Sequence, residues 1–572
     1  MIKIVSINAM REIESAANEA GFTYDLMMEN AGAAAARRAA QLLESFRLPD
    51  PAEAKVTILV GPGKNGGDGL VAARVLAELS SAQVRVYLLK KRPEDDPLFA
   101  AVRSAGLFIA DAEDDQRFRV LSHTIASANL LIDALFGIGV QLPLRDEAVK
   151  MLRAARAAIN GSERGEENLE GVILHPTDPR TVERTTRPYV LAIDCPSGLD
   201  CDTGAIDSHT LTADETITFI AVKPGLLTYP GAAHVGKLTM ATIGVPENTK
   251  VPALKDEKLF FVDGAYARDL LPERSTSSHK GSYGKALIIG GSINYSGAPA
   301  MSALAAYRSG TGLVTVGTLA AVAASLGAKL VEPTWLIFPS EMGVLADSAA
   351  PLIRKEAEAY TAMLIGPGIN REKTTRDLLI ALFAGRAKTA RQAIGFLAPR
   401  AAADDQSAEK PLPPLSLDAD ALNLLSEIDQ WWTHLPPETI ITPHAGEFAR
   451  LAGMEREAVE ANRFALAAEK AAAWNCIVLL KGAHTVIAHP DGRTAVLPFK
   501  TSALSTAGTG DVLSGLIVGF LAQGAKPFDA AVLAGYLHGM AGLEAARIRG
   551  GERAVIAGDV LEAIPAVLAI LE

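Results

Sequence analysis

The chain has 572 residues, of which 49% are hydrophobic and 21% are charged, and its formal net charge is −11. A length beyond what one hydrophobic core usually organises predicts at least two domains, and the hydrophobic content excludes a chain that is disordered throughout. The acidic balance argues against nucleic acid as a partner, because nucleic-acid-binding proteins normally carry a basic surface.

The three cysteines, Cys195, Cys201 and Cys476, have no paired metal-ligand spacing, which favours a reducing compartment without disulfides. The N-terminal segment lacks the apolar core of a signal peptide. The longest apolar stretch, roughly 512–521, is too short to span a bilayer. The sequence therefore predicts a cytoplasmic protein without a membrane anchor.

In chain order, residues 7–43 have helical spacing, and residues 55–60 form an apolar run typical of a buried strand. The glycine-rich segment 61–69 and a helical pattern over 70–79 follow. Strand, glycine loop and helix in this order predict a doubly wound α/β sheet, whose ligands collect at the carboxyl ends of the strands. Further strands of this first domain are predicted at 84–89, 130–133 and 189–194, and residues 238–245 are predicted to close the domain.

Two of the predicted strands end in an aspartate, Asp133 and Asp194, which places both carboxylates at the sheet edge where the glycine loop lies. Asn65, Asp133 and Ser197 offer neutral and anionic oxygens, which suit a hard, weakly held cation such as K⁺. The His and Cys ligands of a zinc site are missing. Asp194 remains as a candidate for proton transfer. For Asp68, capping of the following helix is an open alternative.

The second half repeats an α/β pattern that begins with a strand over 286–289 and a helix over 298–309. We predict a first domain of residues 1–248, a linker of 249–258 and a second domain of 259–572. Polar, turn-rich segments at 160–186 and 385–414 are predicted as insertions. Further strands are predicted at 313–316, 362–365, 415–417, 439–441 and 477–480.

A second glycine-rich segment, 505–515, is predicted to start a helix near Asp511. Gly508 and Gly510 let backbone N–H groups approach an oxyanion closely, and the helix dipole favours negative charge there. Asp511 would repel such an anion, which suggests that it takes a proton from a hydroxyl placed beside it. From these residues alone, a mere helix cap at Asp511 remains an alternative.

Three segments of the first domain, 61–69, 133–139 and 193–198, resemble the NAD(P)H-hydrate epimerases, the YjeF N-terminal family. The resemblance implies a Rossmann-like domain that interconverts the R and S epimers of NAD(P)HX, the hydrated form of NAD(P)H. It also implies that K⁺ is bound by Asn65, Asp133 and Ser197. The substrate-binding residues it implies are Lys64, Asn65, Gly66, Gly67, Asp68, Gly137, Ile138, Gly139, Val140, Gln141, Leu142, Pro143 and Asp194.

The sequence departs from the epimerase pattern at Lys64, where the family usually has asparagine. A cation at this position could pair with a substrate phosphate or could weaken K⁺ binding by repulsion. The sequence leaves both possibilities open.

The second domain resembles the ADP- or ATP-dependent NAD(P)H-hydrate dehydratases, which have a ribokinase-like fold. The matching segments are 280–291, 295–300, 365–368, 417–423, 442–447, 480–485 and 505–515. The resemblance implies ADP or ATP with Mg²⁺, and Asp511 as the base that acts on the hydrate's hydroxyl. It places Ala298, Gly368 and His444 on the hydrate, and Lys481, Gly482, Ala483, His484, Thr485, Gly510 and Asp511 around the nucleotide.

Together, the two resemblances cover nearly the whole chain and predict a member of the bifunctional NAD(P)H-hydrate repair enzymes, active on small molecules and homo-oligomeric. The alternative is a ribokinase-like vitamin or sugar kinase fused to a nucleotide-binding module, which would release a stable phosphorylated product. A non-catalytic NAD(P)-sensing protein would bind without turnover. Asp420 is either a helix cap or a ligand contact, and His444 with Glu447 is better explained as a helix start than as a metal pair.

Overall fold

A computed structural model describes residues 2–46, 48, 50–163, 187–245, 257–383 and 411–572. The chain divides into two compact units, which meet in the sequence between Glu257 and Lys258. Residues 249–256 of the predicted linker, together with 164–186 and 385–410 of the two predicted insertions, lie outside the described residues. Residues 160–163, also assigned to the first insertion, continue a helix instead.

The N-terminal unit contains a seven-stranded sheet in which every neighbouring pair of strands is parallel. Its strand order is β4-β3-β2-β5-β6-β7-β8. The strands are β1 Ile2–Lys3, which lies outside this sheet, β2 Lys55–Val60, β3 Gln83–Leu88, β4 Phe108–Asp111, β5 Leu130–Ala134, β6 Tyr189–Ile193, β7 Glu215–Phe219 and β8 Lys237–Ala241. The helices are α1 Ile7–Glu19, α2 Tyr24–Ser45, α3 Lys64–Leu79, α4 Pro97–Ser104, α5 Arg119–Ala126 and α6 Asp146–Glu163.

Helices cover both faces of this sheet because side chains alternate along each strand. Ile58 and Val60 of β2 pack with residues of α2 and α3 on one face, whereas Leu59 packs with residues of α5 and α6 on the other. The predicted doubly wound α/β architecture is confirmed for this unit.

The helical pattern predicted over 7–43 is confirmed as two helices, α1 and α2, with a left-handed Gly21 between them. The predicted start of the next helix at residue 70 was wrong. Helix α3 begins at Lys64, so the glycine-rich segment forms its first turns instead of a loop before residue 70. The glycines are needed here, since a Cβ atom on Gly66 would lie 1.9 Å from the carbonyl oxygen of Gly61.

The C-terminal unit is built on a mixed sheet in the order β9-β20-β19-β18-β17-β16-β15-β10-β11-β12. Only the pairs β18–β19 and β19–β20 are antiparallel among the pairs described in this sheet. The strands are β9 Leu259–Phe261, β10 Lys285–Ile289, β11 Leu313–Thr318, β12 Thr334–Ile337, the hairpin β13 Ser340–Glu341 and β14 Val344–Leu345, β15 Ala362–Ile365, β16 Leu415–Leu417, β17 Ile440–Ile441, β18 Ile477–Leu480, β19 Val486–Ala488 and β20 Thr494–Val496.

Two helical layers enclose the parallel part of this sheet, with a separate apolar core on each side. The predicted α/β class is confirmed here as well. The helices are α7 Gly264–Asp269, α8 Gly297–Arg308, α9 Ala320–Gly327, α10 Ala350–Ala357, α11 Lys373–Phe383, α12 Asp420–Leu425, α13 Ala445–Ala452, α14 Arg456–Ala461, α15 Arg463–Trp474, α16 Thr509–Ala522, α17 Pro527–Arg549 and α18 Ala557–Leu571.

Helix α16 is buried along nearly its whole length and packs closely against α8. A Cβ atom on Gly515 would lie 2.3 Å from the carbonyl oxygen of Ser302, so only glycine permits this approach. The hydroxyl of Ser302 also donates a hydrogen bond of 2.9 Å to the carbonyl oxygen of Asp511. The start of α16 is therefore held rigidly in place.

Candidate active sites

A cavity of about 450 Å³ opens at the carboxyl ends of β2, β5 and β6 in the N-terminal unit. Its wall is mostly apolar, with Met10, Met27 and Phe219 among the contributors. Several predicted site residues line it: Lys64, Asn65, Asp68, Gly137, Ile138, Gly139, Val140 and Asp194. The sheet edge thus brings together the segments that sequence analysis singled out.

Asp194 follows β6 in a left-handed conformation, with φ of 66°, which turns its side chain into this cavity. Its carboxylate accepts a hydrogen bond of 2.7 Å from the ammonium of Lys223 and one of 3.2 Å from the hydroxyl of Thr218. Lys223 is 1% exposed and also donates to Thr218. Lys223 was not among the predicted site residues, and its position shortly after β7, at the same sheet edge, was the signal that could have found it.

Two further carboxyl groups face the same cavity, Glu14 and Asp68. Burial raises the pKa of Asp68 well above its ordinary value, and the negative charges of Asp194 and Glu14 add to this rise. Burial likewise raises the pKa of Glu14, although Lys64 opposes the rise. The cavity therefore contains an ion-paired carboxylate and a carboxyl group that favours its protonated form.

The ammonium of Lys64 lies 3.6 Å from a carboxylate oxygen of Glu14 and 4.1 Å from the ring centroid of Tyr24. Its side chain is 67% exposed. The positive charge is therefore directed to the cavity mouth, where Glu14 and the face of the tyrosine ring partly balance it.

Asp133 and Ser197 do not line this cavity and are fully buried. The Ser197 hydroxyl donates to Asp133 at 2.6 Å, and the Ser197 backbone N–H donates to the same carboxylate at 2.8 Å. Burial raises the pKa of Asp133 despite these bonds. Asn65 is 7% exposed, and neither end of its side-chain amide has a hydrogen-bond partner among the described residues.

Other predicted residues of this site do not line the cavity. Gly66 and Gly67 are buried inside the first turns of α3, where they allow close packing, and a Cβ atom on Gly67 would lie 2.5 Å from the sulfur of Met28. Gln141, Leu142 and Pro143 continue the loop beyond Val140, with a cis peptide bond between the last two.

In the C-terminal unit, Asp511 lies in the first turn of α16, two residues after its start. Gly508, with φ of 92°, is the N-cap, so Asp511 does not cap the helix. Burial and then the negative charge of Asp418 raise the pKa of Asp511 to about 7. A carboxylate with this pKa is a stronger base than an exposed aspartate and is half ionised near neutral pH.

Asp418 follows β16 and anchors a charged network beside Asp511. Its carboxylate accepts a hydrogen bond of 2.8 Å from the ammonium of Lys481 and another from the hydroxyl of Ser514 on α16. Burial alone would raise the pKa of Asp418, but Lys481 holds it below the ordinary value. Glu447 lies 3.9 Å from the same ammonium. Lys481 is thus fixed close to Gly510 and the helix start.

A cavity of about 170 Å³ adjoins the start of α16. Leu497, Phe499 and Leu513 form apolar walls, and Lys481 and Gly510 form a polar end. Of the residues predicted around the nucleotide, Lys481, Gly482, Ala483, Thr485 and Gly510 line this cavity.

The imidazole of His484, also predicted to contact the nucleotide, does not line this cavity. It is 6% exposed, and its Nδ1 lies 3.1 Å from the carbonyl oxygen of Leu497. A left-handed backbone, with φ of 52°, turns this residue away from its neighbours in the segment 481–485.

The residues predicted to bind the hydrate lie on neighbouring loops. A Cβ atom on Gly368 would lie 3.1 Å from the Cβ atom of Ala298, near the start of α8. His444 is the N-cap of α13 and forms a capping box with Glu447, as the predicted helix start requires. Asp420 is the first residue of α12, whose N-cap is Ala419, and its carboxylate accepts a hydrogen bond from the backbone N–H of Asn370.

Within the described ranges, no group of three or more His, Cys, Asp or Glu residues is placed to hold a metal ion. In the same part of the chain, no helix is both long and apolar enough to cross a bilayer. The three cysteines are all buried and free, in agreement with a chain that does not rely on disulfides.

Two family models match the chain. Residues 25–225 match the YjeF-related protein N-terminus, and residues 286–566 match NAD(P)H-hydrate dehydratase. Among solved structures, an ADP/ATP-dependent NAD(P)H-hydrate dehydratase from Bacillus subtilis, co-crystallised with ATP and Mg²⁺, is 30% identical. The match covers 55% of this chain and 98% of the Bacillus subtilis chain, with a TM-score of 0.43.

Two full-length relatives carry the name bifunctional NAD(P)H-hydrate repair enzyme Nnr. The protein from Moorella thermoacetica is 35% identical over 96% of this chain and 93% of its own length. The protein from Thermofilum pendens is 32% identical, with the same two coverages. These similarities confirm both predicted resemblances: the chain belongs to the bifunctional NAD(P)H-hydrate repair enzyme family.

Proposed function

We propose that the two units repair hydrated NAD(P)H in succession. The N-terminal unit interconverts R- and S-NAD(P)HX, and the C-terminal unit uses ADP or ATP to dehydrate the S form to NAD(P)H. The observation that carries the second half is the partly buried Asp511 in a glycine-rich helix start close to the ammonium of Lys481.

In the dehydration, Asp511 takes the proton from the hydroxyl at C6 of the hydrate as that oxygen attacks the terminal phosphorus of the nucleotide. The backbone N–H groups at the start of α16 and the ammonium of Lys481 stabilise the negative charge of the transferred phosphoryl group. The nucleotide, now one phosphate shorter, is the leaving group of this transfer. The C6–O bond then breaks with release of inorganic phosphate, and loss of a proton from C5 to water forms the C5–C6 double bond and restores the dihydronicotinamide ring.

We propose that Mg²⁺ accompanies the nucleotide at this site. Mg²⁺ is commonly held by one or two carboxylates, water and substrate phosphates. When bound, it would neutralise phosphate charge during transfer. Asp418 is already engaged by Lys481 and Ser514, so its principal role is to hold this lysine.

In the epimerisation, Asp194 is the proposed proton-transfer group, and Lys223 and Thr218 hold its carboxylate in position. It takes the proton from the C6 hydroxyl, a carbonyl forms at C6, and the bond between C6 and the ring nitrogen breaks. Asp68 is suited to supply the proton that the ring nitrogen accepts, since burial favours its protonated form. Rotation and ring closure on the opposite face give the other epimer.

We propose that K⁺ is held by Asn65, Asp133 and Ser197. The unpartnered buried amide of Asn65 and the buried carboxylate of Asp133 fit a cation, since its charge would offset their burial. When bound, K⁺ would supply positive charge next to the substrate. Lys64 does not crowd this position, because its ammonium points to Glu14 and Tyr24.

The proposal is tested with the Asp511→Asn and Asp194→Asn variants on separately prepared S- and R-hydrates. Asp511→Asn should abolish nucleotide-dependent dehydration and leave epimerisation running. Asp194→Asn should abolish epimerisation and leave dehydration of the S-hydrate running. Absorbance of restored NAD(P)H measures dehydration, and chromatography of the epimers measures the other step. Dehydration retained by Asp511→Asn would overturn the assignment of the base.

A further inference from the structure

The cavity of about 170 Å³ proposed for the nucleotide is also lined by the imidazole of His538, which the proposed chemistry does not use. It projects from α17, lines the cavity and is only 7% exposed. Its Nε2 atom is buried and has no hydrogen-bond partner among the described residues. A buried polar atom without a partner is costly, so a ligand that supplies a partner gains affinity there.

The hydrogen bonding of His538 fixes what Nε2 can offer. The ring forms a hydrogen bond with the backbone of Thr509, and this bond raises the affinity of the ring for a proton, as donation to a carbonyl does. Because Nε2 has no partner, Nδ1 carries the donated proton. Burial lowers the pKa of His538 to about 4, so the ring is neutral at physiological pH. In this tautomer, Nε2 is a hydrogen-bond acceptor.

His538 lies on α17 between Gly535 and Gly539, two glycines that also line the cavity and press against its apolar wall. Added Cβ atoms there would lie 2.7 Å from Cδ1 of Leu497 and 2.1 Å from Cδ2 of Phe499. Apolar walls suit the flat base of a nucleotide, whereas the end with Lys481 and Gly510 suits its phosphates.

We propose that His538 selects adenine by accepting a hydrogen bond from the amino group at position 6 of the base. This inference rests on the proposed use of the cavity by a nucleotide. A 6-oxo purine such as hypoxanthine presents an acceptor at that position, so two acceptors would face each other and the hydrogen bond would be lost. His538 is thus a specificity-determining residue, and it takes no part in proton transfer.

The test measures binding of ADP and of inosine diphosphate to the full-length protein by calorimetry. The wild-type protein should prefer ADP by about tenfold or more, as expected for one lost buried hydrogen bond. His538→Leu should bind ADP about tenfold more weakly and should discriminate less than about twofold. His538→Gln should bind both nucleotides with similar affinity, because its amide can present either an acceptor or a donor.

Equal preference for ADP in the wild type and in both variants would overturn the role of His538. The role would also be overturned if the wild-type protein bound 2′-deoxy-ADP more weakly than ADP but did not distinguish inosine diphosphate from ADP, and if His538→Leu lost the difference between 2′-deoxy-ADP and ADP. That result would place a ribose hydroxyl on Nε2. If His538→Leu does not fold, the role of His538 is tested by comparing the affinities of the wild-type protein and of His538→Gln for ADP and inosine diphosphate. A wild-type protein that binds ADP without preference refutes the inference alone, whereas one that binds no adenine nucleotide refutes the proposed function.

Discussion

Replacement of Asp511 by asparagine should remove dehydration activity and at the same time stabilise the C-terminal unit. The side chains have nearly the same shape, but asparagine carries no charge that must be buried. Burial and the nearby Asp418 raise the pKa of Asp511 from its ordinary 3.8 to about 7. This rise in pKa corresponds to a free-energy cost of roughly 4 kcal/mol for keeping the carboxylate ionised in the folded state.

The pH dependence of this effect follows from the direction of the shift. Because the folded-state pKa lies above the unfolded one, the penalty is absent below pH 3.8, grows as the pH rises, and is complete above about pH 7. Asp511→Asn should therefore raise the free energy of unfolding by up to roughly 4 kcal/mol at pH 8 and by less at pH 5. Denaturant unfolding at the two pH values measures the difference.

The activity of Asp511→Asn should fall by roughly 10²- to 10⁴-fold, the usual contribution of a positioned general base. In the wild-type protein, dehydration should decline about tenfold for each pH unit below about 7, because protonated Asp511 cannot accept the hydroxyl proton. The control is Asp194→Asn, which changes the other unit and should leave both dehydration and this pH profile unchanged. Full dehydration activity in Asp511→Asn, or equal free energies of unfolding for the wild-type protein and Asp511→Asn at pH 8, would refute the reasoning.

Three further outcomes are expected. Asp194→Asn should slow interconversion of the epimers by about 10²-fold or more, measured by chromatography; unchanged interconversion would exclude it as the proton-transfer group. K⁺ should raise the melting temperature of the wild-type protein but not that of Asn65→Ala, and an equal response of both would remove Asn65 from the K⁺ site. Gly515→Ala should lower unfolding stability by about 1 kcal/mol or more, since its Cβ would strike the Ser302 carbonyl. Gly558→Ala, with open space around it, should stabilise by roughly 0.5–1 kcal/mol; similar effects from both would contradict the packing argument.

The main features of both sites could be predicted because strand ends and helix starts leave clear patterns in a sequence. Asp133 and Asp194 were found from their positions at the ends of apolar runs, which a parallel sheet brings to one edge. Asp511 was found from the glycines that precede it. The confirmed α/β class rests on the same alternation of apolar runs and helical patterns.

The remaining features depend on tertiary packing, which local patterns do not encode. Helix α3 includes three glycines in its first two turns, against their low helix propensity, because neighbouring backbone and side chains leave no room for Cβ atoms. Lys223 reaches Asp194 from a segment 29 positions later in the chain, so no local motif connects them. His484 turns away from its cavity because of one left-handed backbone angle.

The most direct test of the proposed two-step repair supplies the full-length protein with pure R-NADHX, ATP, Mg²⁺ and K⁺, and follows the absorbance of restored NADH. The wild-type protein should convert nearly all of the R form to NADH, because epimerisation feeds dehydration. Asp194→Asn should restore NADH only at the rate of spontaneous epimerisation, and Asp511→Asn should restore none above background. Accumulation of a stable phosphorylated hydrate in place of NADH would contradict the account and favour a kinase.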